Sequence, residues 1–203
     1  MAAGKPGAGR PAPARSFVPN RVGAYECKAW VTYYRREWGK LLLASVGLVR
    51  AGFRMRADRT LHGAWLVLRA NQLWAKEPGN DPDGARRCME RFYRLVAADS
   101  GETLDTVEAA RLEVEWWRVH REHQHPPSGD PADALVDAIT ALYAFVYGSP
   151  PAEVRPAADL RARAMDVSDR WVEEGCSPAS PLVAEERALL VRSYAALLAV
   201  VHR

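Results

Sequence analysis

LEVEWWRVHREHQ, residues Leu112–Gln124, mixes acids, bases, two tryptophans and two histidines. Which of these groups face water decides how the chain folds. On a helix turning about 100° per residue, Glu108, Arg111, Glu115, Arg118 and Glu122 form one stripe. Their signs alternate at spacings of three and four, so they support one another on a solvated face. The opposite face carries Thr106, Ala109, Ala110, Glu113, Trp117, His120 and Gln124, with Trp116 at its edge. Glu113 and His120 therefore point inward. A buried charge without a partner costs several kcal/mol, so other helices must supply partners.

The same helical period runs through almost the whole chain from Ala24 onward, and strand-like alternation is absent. Gly/Pro clusters at KEPGNDP, DSGE, HPPSGDP, YGSPP and GCSPASP cut it into segments. Asp81-Pro82, Asp130-Pro131, Ser149-Pro150 and Ser180-Pro181 each read as a helix start, with a capping side chain followed by proline. Asp105 with Glu108 reads as a capping box. These signals predict an all-α chain of about seven helices over 24–51, 58–75, 82–98, 104–124, 131–147, 151–174 (broken near Pro156) and 181–202. Short connections favour antiparallel neighbours in a single-domain bundle over residues 21–203. Residues 1–20, rich in Gly, Pro and Ala, are expected to be disordered.

Composition narrows the function classes. A chain of 203 residues, 48% hydrophobic and 26% charged, is an ordinary globular domain with room for a core. Its seven tryptophans favour a large aromatic core or a pocket. The net charge of +3 comes from the N-terminus: residues 1–25 hold Lys5, Arg10, Arg15 and Arg21 and no acid, leaving −1 for the other 178. A nucleic-acid-binding body is therefore not indicated, and a tail with only Phe17 offers no stacking platform. Three dispersed cysteines without ligand spacing suggest reduced thiols. The N-terminal MAAGKPGAGRPAPAR has no apolar core of the secretory kind, and LLLASVGLV is too short to cross a bilayer. A cytoplasmic protein is expected.

Three long helices turn polar groups inward. The first, YECKAWVTYYRREWGKLLLASVGLVR, has Glu26 and Glu37 within its apolar face. The second, DRTLHGAWLVLRANQLWA, is apolar nearly all round, with His62, Arg69 and Gln72 clustered beside Trp65. The last places Glu186 and Tyr194 beside Leu190 and Leu197. A guanidinium can hold two carboxylates at once. The expected network is Arg69 between Glu37 and Glu113, with His62, Gln72 and His120 near them and Trp65, Trp116 and Trp117 lining a pocket.

Such a network is either a packing device or the floor of a ligand pocket. The sequence favours a non-enzymatic interaction or ligand-binding domain. The alternatives are an enzyme using Glu37, Arg69, Glu113 and His120, and a nucleic-acid-associated protein acting through the tail. No cofactor is expected. Iron, manganese or zinc would suit a carboxylate/His set, but di-iron bundles need Glu-x-x-His twice. Glu122-x-x-His125 is the sole match, and Glu122 lies on the solvated stripe. GNDPDGARRCME imitates a calcium loop but has glycine at the first ligand position and a proline inside, so a helix cap is preferred. A protein partner or a second copy of the chain remains open.

Overall fold

The computed structural model describes residues 15–76, 78–124 and 132–202. Among them are eight α-helices and no strand: α1 (Pro19–Tyr34), α2 (Trp38–Phe53), α3 (Ala57–Trp74), α4 (Pro82–Ser100), α5 (Thr106–Gln124), α6 (Ala132–Tyr147), α7 (Pro151–Glu173) and α8 (Pro181–Val201).

The eighth helix arises because the expected first helix is two. The chain breaks at Arg35–Glu37, where Arg36 adopts a left-handed φ of 58°. The interruption resets the helical phase, so α1 and α2 each choose their own buried face. The proline inside α7 has the opposite outcome. Pro156 removes one hydrogen bond, but Ala152, whose carbonyl loses its partner, is exposed to water, and α7 continues unbroken.

The caps follow local chemistry. Asp81 accepts from Gly84 N at 2.7 Å with Pro82 behind it, so the calcium-like segment is a helix start. Ser180 accepts from Leu182 N at 3.3 Å. Asp105 caps α5 through Val107 N and Glu108 N, both at 3.1 Å. The expected capping box is only half made, because Glu108 binds Arg111 instead. Ser149 does not cap α7: its hydroxyl turns back to Tyr147 O. Asp130-Pro131 lies outside the described residues.

Each helix packs against the next, and α8 returns onto α1, so the helices close a ring. Connections of three to seven residues keep consecutive helices adjacent and antiparallel. Two glycines permit the closest approaches. A Cβ on Gly23 of α1 would lie 2.8 Å from Val191 N of α8. One on Gly47 of α2 would lie 2.2 Å from the Tyr25 ring of α1. The seam that closes the ring is thus set by the smallest side chain.

The N-terminal segment departs from expectation. Phe17 is 4% exposed, belongs to the main core and meets Tyr194 edge-on at 5.8 Å. Arg15 pairs with Glu102 at 2.8 Å. Residues 15–20 are therefore docked on the helices, with α1 already begun at Pro19. Burial of this large aromatic contributes about 1.5–3 kcal/mol toward the cost of ordering the segment, and the Arg15 ion pair adds to it. Residues 1–14 lie outside the described part. No described helix is long and apolar enough to cross a membrane.

Candidate functional site

The helices surround a cavity of about 260 Å³ that is partly open to solvent, and all eight contribute to its wall. The wall is unusually aromatic. Trp30, Tyr33 and Tyr34 come from α1, Trp74 from α3, Phe92 and Tyr93 from α4, Trp116 and Trp117 from α5, Tyr143 and Tyr147 from α6, and Tyr194 from α8. Edge-to-face packing holds several of these rings, including Trp74–Trp117 at 5.9 Å and Trp116–Trp117 at 6.0 Å.

Charge enters this chamber from α1, α5 and α7. Arg161 Nη2 donates to Glu26 Oε1 at 2.5 Å, and both side chains are buried. The Arg161 guanidinium lies 4.7 Å from the Trp116 ring centroid and 5.8 Å from that of Tyr143. Burial works against the guanidinium charge, and the neighbouring Glu26 carboxylate more than offsets it, so Arg161 is held firmly ionised.

Glu113 accepts from Tyr93 Oη at 2.7 Å and from Trp116 Nε1 at 3.2 Å. Burial raises its pKa, with Arg161 and the two donors opposing. Glu113 nevertheless keeps part of its accessible surface, although protein surrounds it. That surface is the chamber wall.

A polar bar crosses one end of the chamber. His120 Nε2 lies 3.0 Å from Asp169 Oδ2, and Gln124 Nε2 donates to Asp169 Oδ1 at 2.5 Å. Gln124 also donates to Tyr34 Oη at 3.1 Å, so α1, α5 and α7 are tied together across the ring. His123 repeats the contact one turn on, 2.9 Å from Asp166 Oδ1. The juxtaposition follows from length: α7 has 23 residues and α6 has 16, so α7 reaches past α6 to meet the end of α5. Arg121 donates to Trp74 O at 2.8 Å and stacks 4.2 Å from that ring.

The expected site is therefore rearranged. Glu113, His120, Trp116 and Trp117 line the chamber. His62, Trp65 and Arg69 face solvent instead, with Trp65 at 52% exposure. Arg69 donates to Gln72 at 2.5 Å on that outer face. Glu37 stands at the start of α2 and pairs with Arg35 at 3.1 Å and Lys40 at 3.0 Å. The cation that serves the inward carboxylates is Arg161, and the carboxylate it holds is Glu26.

Arg161 had a visible signal. On α7, Val154, Ala157, Ala158, Arg161, Ala162, Met165 and Ser168 are all buried at helical spacing, and Arg161 is the one charge in that stripe. Asp169 and Tyr34 had no such signal, because their roles depend on how far α7 overhangs α6.

One more buried acid lies outside the chamber. Glu186 of α8 is 1% exposed, and neither carboxyl oxygen makes a hydrogen bond. It sits among α1, α7 and α8 with Cys27 and Ser168 as polar neighbours, and burial pushes its pKa up to about 8. Among the described residues, no group of three or more His, Cys, Asp or Glu side chains is arranged to hold a metal ion. The chain matches no protein-family model, no curated protein and no solved structure.

Proposed function

We propose that the chain is a small-molecule-binding protein whose ligand occupies the chamber inside the ring of helices. The observation that carries this reading is the cavity of about 260 Å³ walled by aromatic rings and entered by Glu113. Protein interiors are normally packed to crystal density, with few voids larger than a water molecule. A chamber partly open to solvent, walled by every helix, largely apolar and polar at selected points, has the character of a binding site.

The size suggests the scale of the ligand. A cavity of about 150 Å³ admits benzene, so this one suits a compound of one or two rings. We read the eight helices as one domain, a reading supported by the return of α8 onto α1. The three free thiols, Cys27, Cys88 and Cys176, support a reducing, cytoplasmic setting.

The test is calorimetric titration of the full chain with two-ring aromatic probes, beside a variant in which Ser45→Phe fills the chamber. Ser45 lines the cavity on α2. Saturable one-to-one binding that disappears in the helical, folded Ser45→Phe protein is expected. Binding that survives the filling, or no saturable binding at all, would overturn the reading.

A further inference from the structure

The chamber has an unbalanced acid. Arg161 is committed to Glu26, and Arg121 is turned onto Trp74. Glu113 is held only by two neutral donors, Tyr93 and Trp116. No described cation lies within ion-pair distance of it. Its remaining accessible surface faces the chamber. Of the acids in and bordering the space, Glu26 is paired with Arg161 and Asp169 with His120, whereas Glu113 has no such partner.

The two donors do more than satisfy a buried carboxyl. Tyr93 on α4 and Trp116 on α5 bond different oxygens of Glu113, so the carboxyl plane is fixed before any ligand arrives. A fixed acceptor costs no ordering on binding. Around it stand indole and phenol rings, whose faces carry negative potential and attract cations. A carboxylate held in an aromatic enclosure is the complement of an ammonium group on an apolar body. An anionic ligand would instead meet Glu113 as a like charge, and a neutral one would leave it without a counter-ion.

From this geometry we infer that the ligand is an organic amine: a protonated ammonium group that pairs with Glu113, carried on a ring system of one or two rings that packs against the aromatic walls. The inference rests on the chamber reading above and names its ligand class.

The experiment uses the full chain and three probes of one shape, 2-naphthylmethylamine, 2-naphthylmethanol and 2-naphthoate, titrated calorimetrically at neutral pH. The amine should bind about tenfold or more tightly than the alcohol, the effect expected of one charge-assisted hydrogen bond, and the naphthoate should bind weakest. In Glu113→Gln, the amine should fall to the affinity of the alcohol while the alcohol itself changes little. The comparison on the unaltered protein decides the matter even if that variant does not fold. If the alcohol or the naphthoate binds as tightly as the amine, the amine inference is overturned and the chamber reading stands. If none of the three binds, both fall together. If the amine wins but Glu113→Gln retains its full preference, the ammonium site is elsewhere, and the assignment to Glu113 is wrong.

Discussion

Arg161 of α7 and Glu26 of α1 form a buried ion pair of 2.5 Å between helices that are not neighbours in the ring. The pair bridges the two sides of α8, which lies between them. It is also single-bonded: Glu26 Oε2 and Arg161 Nε make no hydrogen bond. Removing one partner leaves the other buried without compensation. Arg161→Met should therefore cost about 3–5 kcal/mol. The double change Arg161→Met with Glu26→Gln should recover part of that loss, since coupled neighbours depart from additivity by about 0.5–3 kcal/mol. Arg69→Met, on the outer face of α3, should cost at most about 0.5 kcal/mol. Urea unfolding of the parent and these three variants measures all of this. A larger loss at Arg69 than at Arg161 would reverse the assignment of the central cation.

The closure of the ring should depend on Gly23. Its missing side chain lets α1 approach the Val191 backbone of α8, where a Cβ would sit 2.8 Å from the amide nitrogen. Backbone cannot swing away as a side chain can. Gly23→Ala should destabilise by about 1–3 kcal/mol, the range for overpacking. Gly52 in the last turn of α2 meets nothing within 4 Å. Gly52→Ala should stabilise by about 0.5–1 kcal/mol through helix propensity alone. Opposite signs in thermal unfolding are the expected result; equal effects would mean that the α1–α8 seam is loose.

The helices were largely legible because each carries its own period and, often, its own cap. Asp81, Asp105 and Ser180 mark three starts that hold in the structure. The break at Arg36 was not legible: the one helix-weakening residue in YYRREWGK, Gly39, lies inside α2 beyond the break, and the left-handed turn falls on Arg36, a good helix former. That break also misplaced half the site. A continuous helix carries Glu26 and Glu37 on one face, whereas the interrupted one buries Glu26 and leaves Glu37 at a helix start. For α3 the difficulty was different. A helix apolar nearly all round gives no phase, and Leu61 and Trp65 are exposed hydrophobics that read as core. Glu113 and His120 were readable because the ion-pair stripe on the far side of α5 fixed that helix's orientation.

Phe17 should matter more to stability than its position near the N-terminus suggests. It is 4% exposed and packs edge-on against Tyr194, so truncation opens a hole in the main core. Phe17→Ala should cost about 3–5 kcal/mol by the usual size of such truncations. Val18 next to it is 52% exposed, and Val18→Ala should stay within about 0.5 kcal/mol. Chemical denaturation distinguishes them. A Phe17→Ala protein as stable as the parent would show that the segment before α1 is not held to the core in solution.

Glu186 should make stability fall as pH rises across the neutral range. Its carboxyl is 1% exposed, finds no hydrogen bond, and has its pKa pushed by burial up to about 8. In the unfolded chain a glutamate titrates near 4.3. Between these values the folded state holds a proton that the unfolded state has lost, so unfolding releases it and stability decreases with pH. Below about pH 4 the carboxyl is protonated in both states and exerts no penalty; above about pH 8 the penalty is complete and stays constant. At about 1.4 kcal/mol per unit of pKa difference, the full effect is on the order of 5 kcal/mol. Glu186→Gln keeps the shape and removes the ionisation. The variant should match the parent near pH 4 and exceed it increasingly toward pH 8. The difference between the two stability curves isolates Glu186 from every other titrating group, including Glu113, whose pKa is also raised. Curves that stay parallel from pH 5 to 8 would show that the Glu186 carboxyl reaches water or a partner in solution, and the buried neutral acid at the α1–α7–α8 junction would have to be abandoned.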